Sequence, residues 1–89
     1  MIKKNILITG CAGFIGFHTS ECFIKKKIKV IGCDNLNNFY DVNLKKDRLK
    51  ILKKHKKNFK FYKIDLQNIK NLEKVIYNNK IKTVIHLAA

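Results

Sequence analysis

Asn5-Ile6-Leu7-Ile8-Thr9-Gly10-Cys11-Ala12-Gly13-Phe14-Ile15-Gly16 is the stretch that decides the fold. The apolar run Ile6 to Ile8, ending at glycine, reads as a buried strand. Gly10 to Gly13 reads as a turn, and a helix should follow from about Phe14 to Lys26, with Ile15, Cys22 and Phe23 on its inner face. The three glycines at this spacing have separate tasks. Gly10 lets the chain turn sharply off the strand, Gly13 lets a pyrophosphate approach the backbone, and Gly16 lets the helix pack closely on the sheet. The helix start adds unpaired N–H donors and partial positive charge for phosphates.

Working outward, Ile28 to Cys33 is a second buried strand that ends at Asp34, roughly 20 residues beyond the glycine loop, as a dinucleotide fingerprint requires. A carboxylate there can accept from both adenosine ribose hydroxyls and would repel a 2′-phosphate. No arginine follows Asp34 and none lies in the glycine loop, so NAD is expected over NADP. Asp34 to Asp41 has no clear period and reads as a loop. Asn43 to Lys57 reads as a helix with Leu44, Ile51 and Leu52 inward. Phe59 to Ile64 alternates as a third strand. Asn68 can cap a third helix with Ile69, Leu72, Val75 and Ile76 inward, and Thr83 to Leu87 is a fourth strand.

The order βαβαβαβ requires right-handed crossovers and a parallel sheet. The expected fold is α/β, a partial Rossmann fold spanning 1–89 as one unit, with strand order 3-2-1-4. Ligands of such sheets bind at the carboxyl ends of the strands. Asp65, after the third strand, can accept from the adenine amino group with Leu66 beside the ring, or it can simply cap a turn. Leu87, Ala88 and Ala89 follow the fourth strand, and the two alanines would let the ribose and pyrophosphate lie close.

Composition narrows the remaining classes. The net charge of +14 suggests an anionic partner, but Arg48 is the only arginine among the 20 basic residues. Bidentate phosphate and base contacts favour arginine, so a lysine-coated surface without specific nucleic-acid recognition is the reading, with a basic nucleic-acid-binding module as the rival. Three cysteines without paired spacing fit a reduced, cytoplasmic setting. The apolar run before Cys11 is too short for a secretory leader, and no stretch approaches the ~20 residues of a membrane span. His18, His55 and His86 have no metal-ligand spacing with the cysteines, so no metal is expected, and the Cys11 thiol is read as packing.

Thr9-Gly10-Cys11-Ala12-Gly13-Phe14-Ile15-Gly16 resembles the TGxxGFIG loop of extended short-chain dehydrogenases/reductases, the NAD-dependent sugar-nucleotide epimerases and dehydratases. Asp34-Asn35-Leu36 resembles their ribose-binding DNL, Asp65-Leu66 their adenine-side DL, and His86-Leu87-Ala88-Ala89 their HLAA strand end. Phe14 and Ile15 join the cofactor-binding set through the loop match. The segment from Asp34 through Asn43-Leu44-Lys45 to Arg48-Leu49 is similar to that of the UDP-glucuronate 4-epimerase subgroup of cell-surface polysaccharide pathways; UDP-glucose 4-epimerases and dTDP-glucose dehydratases are the alternatives within the family. By the same analogy Asn35 and Asn38 contact the adenosine ribose.

The resemblance implies a UDP-sugar substrate for a longer parent protein and a homodimer built by helices not found here. It also implies a catalytic Tyr-x-x-x-Lys pair and a Ser/Thr. Tyr40 is followed four residues on by Leu44, Tyr62 by Leu66 and Tyr77 by Ile81, so the pair is absent from these 89 residues. The chain is expected to be the NAD-binding front part of such an enzyme, without the sugar-nucleotide domain and inactive alone.

Overall fold

A computed structural model describes residues 5–36 and 42–88. In chain order the elements are β1 (Asn5–Thr9), α1 (Phe14–Lys25), β2 (Lys29–Asp34), α2 (Val42–Lys53), β3 (Phe59–Lys63), α3 (Ile69–Asn78) and β4 (Thr83–His86). The four strands form one sheet in the order β3-β2-β1-β4, all parallel. This is the α/β architecture and strand order expected from the alternation of apolar runs with amphipathic segments.

The order fixes which side each helix covers. The β1-α1-β2 and β2-α2-β3 crossovers step one way across the sheet, and β3-α3-β4 returns past β1, so right-handedness puts α3 on the opposite face. The core divides accordingly. Ile6, Ile8 and Val30 pack with Phe17, Ile24, Leu49 and Leu52 from α1 and α2. Leu7 and Ile31, one residue out of phase, pack with Val75, Leu72 and Ile76 from α3.

Two inner faces differ from expectation. In α1 the buried residues are Gly16, Phe17, Ser20 and Ile24; Phe23 is partly buried against the core, whereas Ile15 is 64% exposed and Cys22 is exposed. Gly16 must face the sheet, and Ser20 and Ile24 follow it at helical spacing, with Ser20 Oγ donating to the Gly16 carbonyl at 2.7 Å. That phase turns Ile15 outward. In α2 the buried residues are Lys45, Leu49 and Leu52, while Leu44 and Ile51 are exposed. Lys45 sets this phase, because its Nζ lies 3.8 Å from Asp34 Oδ1 at the end of β2. α2 also stops at Lys53, since the lysine-rich 53–57 has no apolar face to bury.

α3 follows expectation more closely. Asn68 Oδ1 accepts from Asn71 N at 3.2 Å as its cap, and Leu72, Val75 and Ile76 pack inward; Ile69 alone of the expected set is 64% exposed.

Candidate dinucleotide site

The strand order reverses between β1 and β4: the chain leaves β1 towards one face and reaches β4 from the other. In open α/β sheets this switch point opens a crevice at the carboxyl ends of the strands. Here the crevice is walled by the loop 10–13 and by Leu87 and Ala88.

The loop's backbone groups can be accounted for one by one. Gly10 N and Cys11 N both donate to the Cys33 carbonyl, at 2.8 and 3.2 Å. Ala12 N donates to Asp34 Oδ2 at 3.1 Å. Gly13 N donates to Gly10 O at 3.1 Å, and Phe17 N makes the first helical bond, to Gly13 O at 2.8 Å. The N–H groups of Phe14, Ile15 and Gly16 therefore sit in the first turn of α1, where an α-helix offers no acceptor, and Gly13 supplies no side-chain cap. Three donors and the positive end of the helix are presented together, which is what a phosphate requires.

The glycines divide into two kinds. Gly10 has φ of 70°, and a Cβ there would lie 2.8 Å from Ala88 N. A Cβ on Gly16 would collide with the Gly10 carbonyl. Both are needed to close the loop on the sheet. Gly13 is different. Its φ of −72° and ψ of 170° suit any residue, and a Cβ there would meet only Gly10 O, at 3.3 Å. Inside the protein only this one close contact with a backbone carbonyl favours glycine at 13. A ligand seated on the α1 N-terminus would demand it, so the residues present fit a dinucleotide pyrophosphate.

Asp34 ends β2 with its side chain 5% exposed. Its Oδ2 takes the Ala12 N–H and its Oδ1 takes Leu36 N at 2.8 Å, so it braces the loop. Asn35, next to it, is exposed. Asn38 and Ala89 lie outside the described residues. Phe14 and Ile15 are 66% and 64% exposed at the mouth of the crevice. Leu87 and Ala88 line its far wall, where Thr9 Oγ1 accepts from Leu87 N at 3.0 Å and Ala88 N at 3.3 Å. Thr9 Oγ1 also lies within hydrogen-bond distance of His86 Nδ1, at 2.8 Å. Asp65 is exposed, and its Oδ1 accepts from Gln67 N at 2.9 Å, the turn-capping arrangement. Leu66 is half-buried against the α3-side core.

The structure gives a place at the loop to three residues that the motif matches include without a role: Thr9, Lys45 and Arg48. Arg48 Nη1 donates to the Ala12 carbonyl at 3.1 Å, and its guanidinium lies 5.8 Å from the Phe14 ring centroid. Its signal in the sequence is that it is the lone arginine among lysines. Cys11 and Cys33 are fully buried. Desolvation, with Asp34 nearby, pushes the Cys33 thiol up to about 11 and Cys11 further still, so neither is poised as a nucleophile. Cys11 instead packs over Gly32, where a Cβ would lie 2.7 Å from its sulfur. Among the described residues no group of three His, Cys, Asp or Glu could hold a metal, and no helix is long and apolar enough to cross a membrane.

Comparison with known proteins agrees with this geometry. The family profile described as GDP-mannose 4,6 dehydratase matches residues 7–89. The chain is 51% identical over 83 residues to a UDP-glucuronate 4-epimerase of Thermodesulfobacterium geofontis, covering 93% of this chain and 25% of that protein. It is 48% identical over 85 residues to protein CapI of Staphylococcus aureus, covering 96% and 25%. Among solved structures, UDP-glucuronic acid 4-epimerase from Bacillus cereus, in complex with UDP-glucuronic acid and NAD, superposes with a TM-score of 0.83 at 34% identity, covering 96% of this chain and 26% of that one. dTDP-glucose 4,6-dehydratase from Bacillus anthracis, in complex with NAD, gives 0.83 at 32% identity, covering 97% and 27%. The chain thus spans about a quarter of the length of these relatives. By its profile match, its glycine loop and its strand order, the chain belongs to the GDP-mannose 4,6-dehydratase family of NAD-dependent sugar-nucleotide epimerases and dehydratases.

Proposed function

We propose that this chain binds NAD at the crevice between β1 and β4, as the front of a Rossmann domain whose whole protein is a UDP-glucuronate 4-epimerase. The observation that carries the cofactor reading is the start of α1: three unspent N–H groups beside Gly13, whose Cβ position is bounded within the protein only by the Gly10 carbonyl, at 3.3 Å. In this reading Gly10, Gly13, Phe14, Ile15 and Gly16 hold the pyrophosphate, and Asp34, Asn35 and Asn38 hold the adenosine ribose. Asp65 and Leu66 border the adenine, and Leu87, Ala88 and Ala89 border the ribose and pyrophosphate. NAD held by these residues would supply reversible hydride chemistry at C4 of a UDP-sugar, with the C4 hydroxyl proton taken up and returned by the Tyr/Lys pair of the whole protein. The Tyr/Lys pair and the sugar domain belong to the remainder of the whole protein, so the 89-residue chain is inactive. Dimer-forming helices belong there too, and the setting is cytoplasmic. The similarity to UDP-glucuronate 4-epimerase and CapI supports the substrate. The lysine excess is solvated surface and carries no specific nucleic-acid recognition.

The test has two arms. Calorimetric titration of the chain with NAD and NADP should show tighter binding of NAD; tighter NADP would overturn the cofactor reading. The whole protein offered UDP-glucuronate, UDP-glucose and dTDP-glucose separately should turn over UDP-glucuronate best. A preference for dTDP-glucose would favour the dehydratase reading, which the equal superposition on that structure keeps in view.

A further inference from the structure

We infer that Arg48 is a positioning residue of the phosphate loop, acting on the dinucleotide through the Ala12 peptide. The inference rests on the NAD-binding reading above but concerns a residue that no loop motif contains. Ala12 is fully buried, yet neither of its backbone polar groups is satisfied by regular secondary structure. Its N–H is held by Asp34 Oδ2 at 3.1 Å and its carbonyl by Arg48 Nη1 at 3.1 Å. The two clamps come from different elements, β2 and α2, and grip opposite edges of one residue. The peptide that carries the Ala12 carbonyl also carries Gly13 N, so holding the carbonyl fixes the plane from which α1 starts. The three donors meant for phosphate follow directly.

Arginine suits this place physically. A guanidinium carries several N–H donors, so it can donate to the loop carbonyl while its Cζ stays 5.8 Å from the Phe14 ring centroid, whereas lysine has a single nitrogen to serve both contacts. In a chain where 19 of the 20 basic residues are lysine, the single arginine is the one that reaches the glycine-loop carbonyl. Arg48 and Asp34 belong to the same Asp34–Arg48 segment, so one stretch of chain supplies both clamps. The segment therefore shapes the loop from outside it.

The experiment compares wild type, Arg48→Met and Arg48→Lys, using NAD, ADP and adenosine as probes and backbone hydrogen exchange without ligand. Arg48→Met should weaken NAD and ADP about tenfold, the effect of one hydrogen bond from a charged group, while adenosine, which has no phosphate, changes less than about twofold. Arg48→Lys should recover part of the loss. Without ligand, Arg48→Met should speed exchange at Ala12 and Gly13 and leave the β2 and α3 amides unchanged. Parallel weakening of all three probes, or exchange rising uniformly across the sheet, would show a merely structural residue and overturn the inference, as would no change at all. If wild type binds neither NAD nor ADP, the cofactor reading fails by itself, and the exchange comparison still decides whether Arg48 holds the loop.

Discussion

Asp34 is asked to do two things with one carboxylate. It accepts Ala12 N and Leu36 N, at 3.1 and 2.8 Å, and in the proposed complex it also takes ribose hydroxyls. An ionised carboxylate has about four acceptor positions, so the tasks are compatible. The ligand-facing half of this role is an expectation from the spacing and stands as a proposal; the bracing half depends on where the loop folds back, which no spacing rule gives. Asp34→Ala should therefore do more than weaken NAD and narrow the preference over NADP. It strips two backbone donors and removes the carboxylate beside Lys45, for a cost of about 3 kcal/mol in urea unfolding. An Asp34→Ala protein as stable as wild type would show that the loop does not lean on this residue. The cysteines supply a second prediction. Cys11 and Cys33 are buried, with thiol pKa values raised above the usual 9.0. The native protein should label rapidly at Cys22 alone with a thiol reagent at neutral pH. The linkage has a definite sign: above pH 9.0 the unfolded thiols ionise while the folded ones keep their protons. Stability should then fall from about pH 9 upward, through about pH 11 for Cys33 and beyond for Cys11. A flat alkaline stability profile, or three equally fast thiols, would contradict this.

At the scale of elements, the strands were legible because an apolar run bounded by glycine or polar residues has few other uses in a chain this short. Helix existence was legible too, and so was the phase of α3, but the phase of α1 and α2 was not. For α1 and α2 the inward stripe is set by a polar or absent side chain, Gly16 against the loop and Lys45 towards Asp34, and hydrophobic periodicity does not register either. The glycines of the β1–α1 junction yield a prediction that separates fold from function. Gly16→Ala forces a methyl into the Gly10 carbonyl, so α1 must lift from the sheet, at a cost of about 1–3 kcal/mol. Gly13→Ala meets only one atom, at 3.3 Å, in a backbone conformation open to alanine, so stability should change by less than about 1 kcal/mol. In the proposed complex its methyl would stand against the pyrophosphate, and NAD affinity should drop at least tenfold. Unfolding curves and NAD titrations of the two variants check both halves. Gly13→Ala binding NAD like wild type would remove the observation on which the cofactor reading rests.

Over the whole molecule, charge and apolar surface are distributed unequally about the sheet. Lys25, Lys26, Lys27, Lys29, Lys53, Lys54, Lys56, Lys57, Lys80 and Lys82 all lie in or beside the connections that enter the amino ends of the parallel strands, and all are exposed. The crevice opens at the other end. Sequence inspection saw these lysines as scattered, because only the parallel topology gathers them; their position away from the crevice is consistent with a solvated surface rather than part of the site. Apolar side chains are also exposed in and just after β4. This strand pairs with β1 on one side, and among the described residues no strand pairs with its other side. Val84 is 49% and Leu87 38% exposed there, and the face carrying Leu7 and Ile31 is covered by α3 alone while the other has both α1 and α2. A chain of this size buries little surface to begin with, and an open apolar edge is a template for a second copy. The isolated 89-residue chain should therefore melt broadly and associate as its concentration rises, with a transition that depends on concentration. Val84→Lys places a charge on the exposed edge and should suppress association without lowering the melting temperature appreciably, since the valine is half in water already. NAD at a hundred times its dissociation constant should add about 2.7 kcal/mol to the folded state and sharpen the transition. Calorimetry at two protein concentrations, alongside sedimentation of wild type and Val84→Lys, reads all three effects. A sharp, concentration-independent transition from a monomeric wild type would mean that α3 and the β1–β4 pairing suffice to close the sheet, and the edge argument would fail.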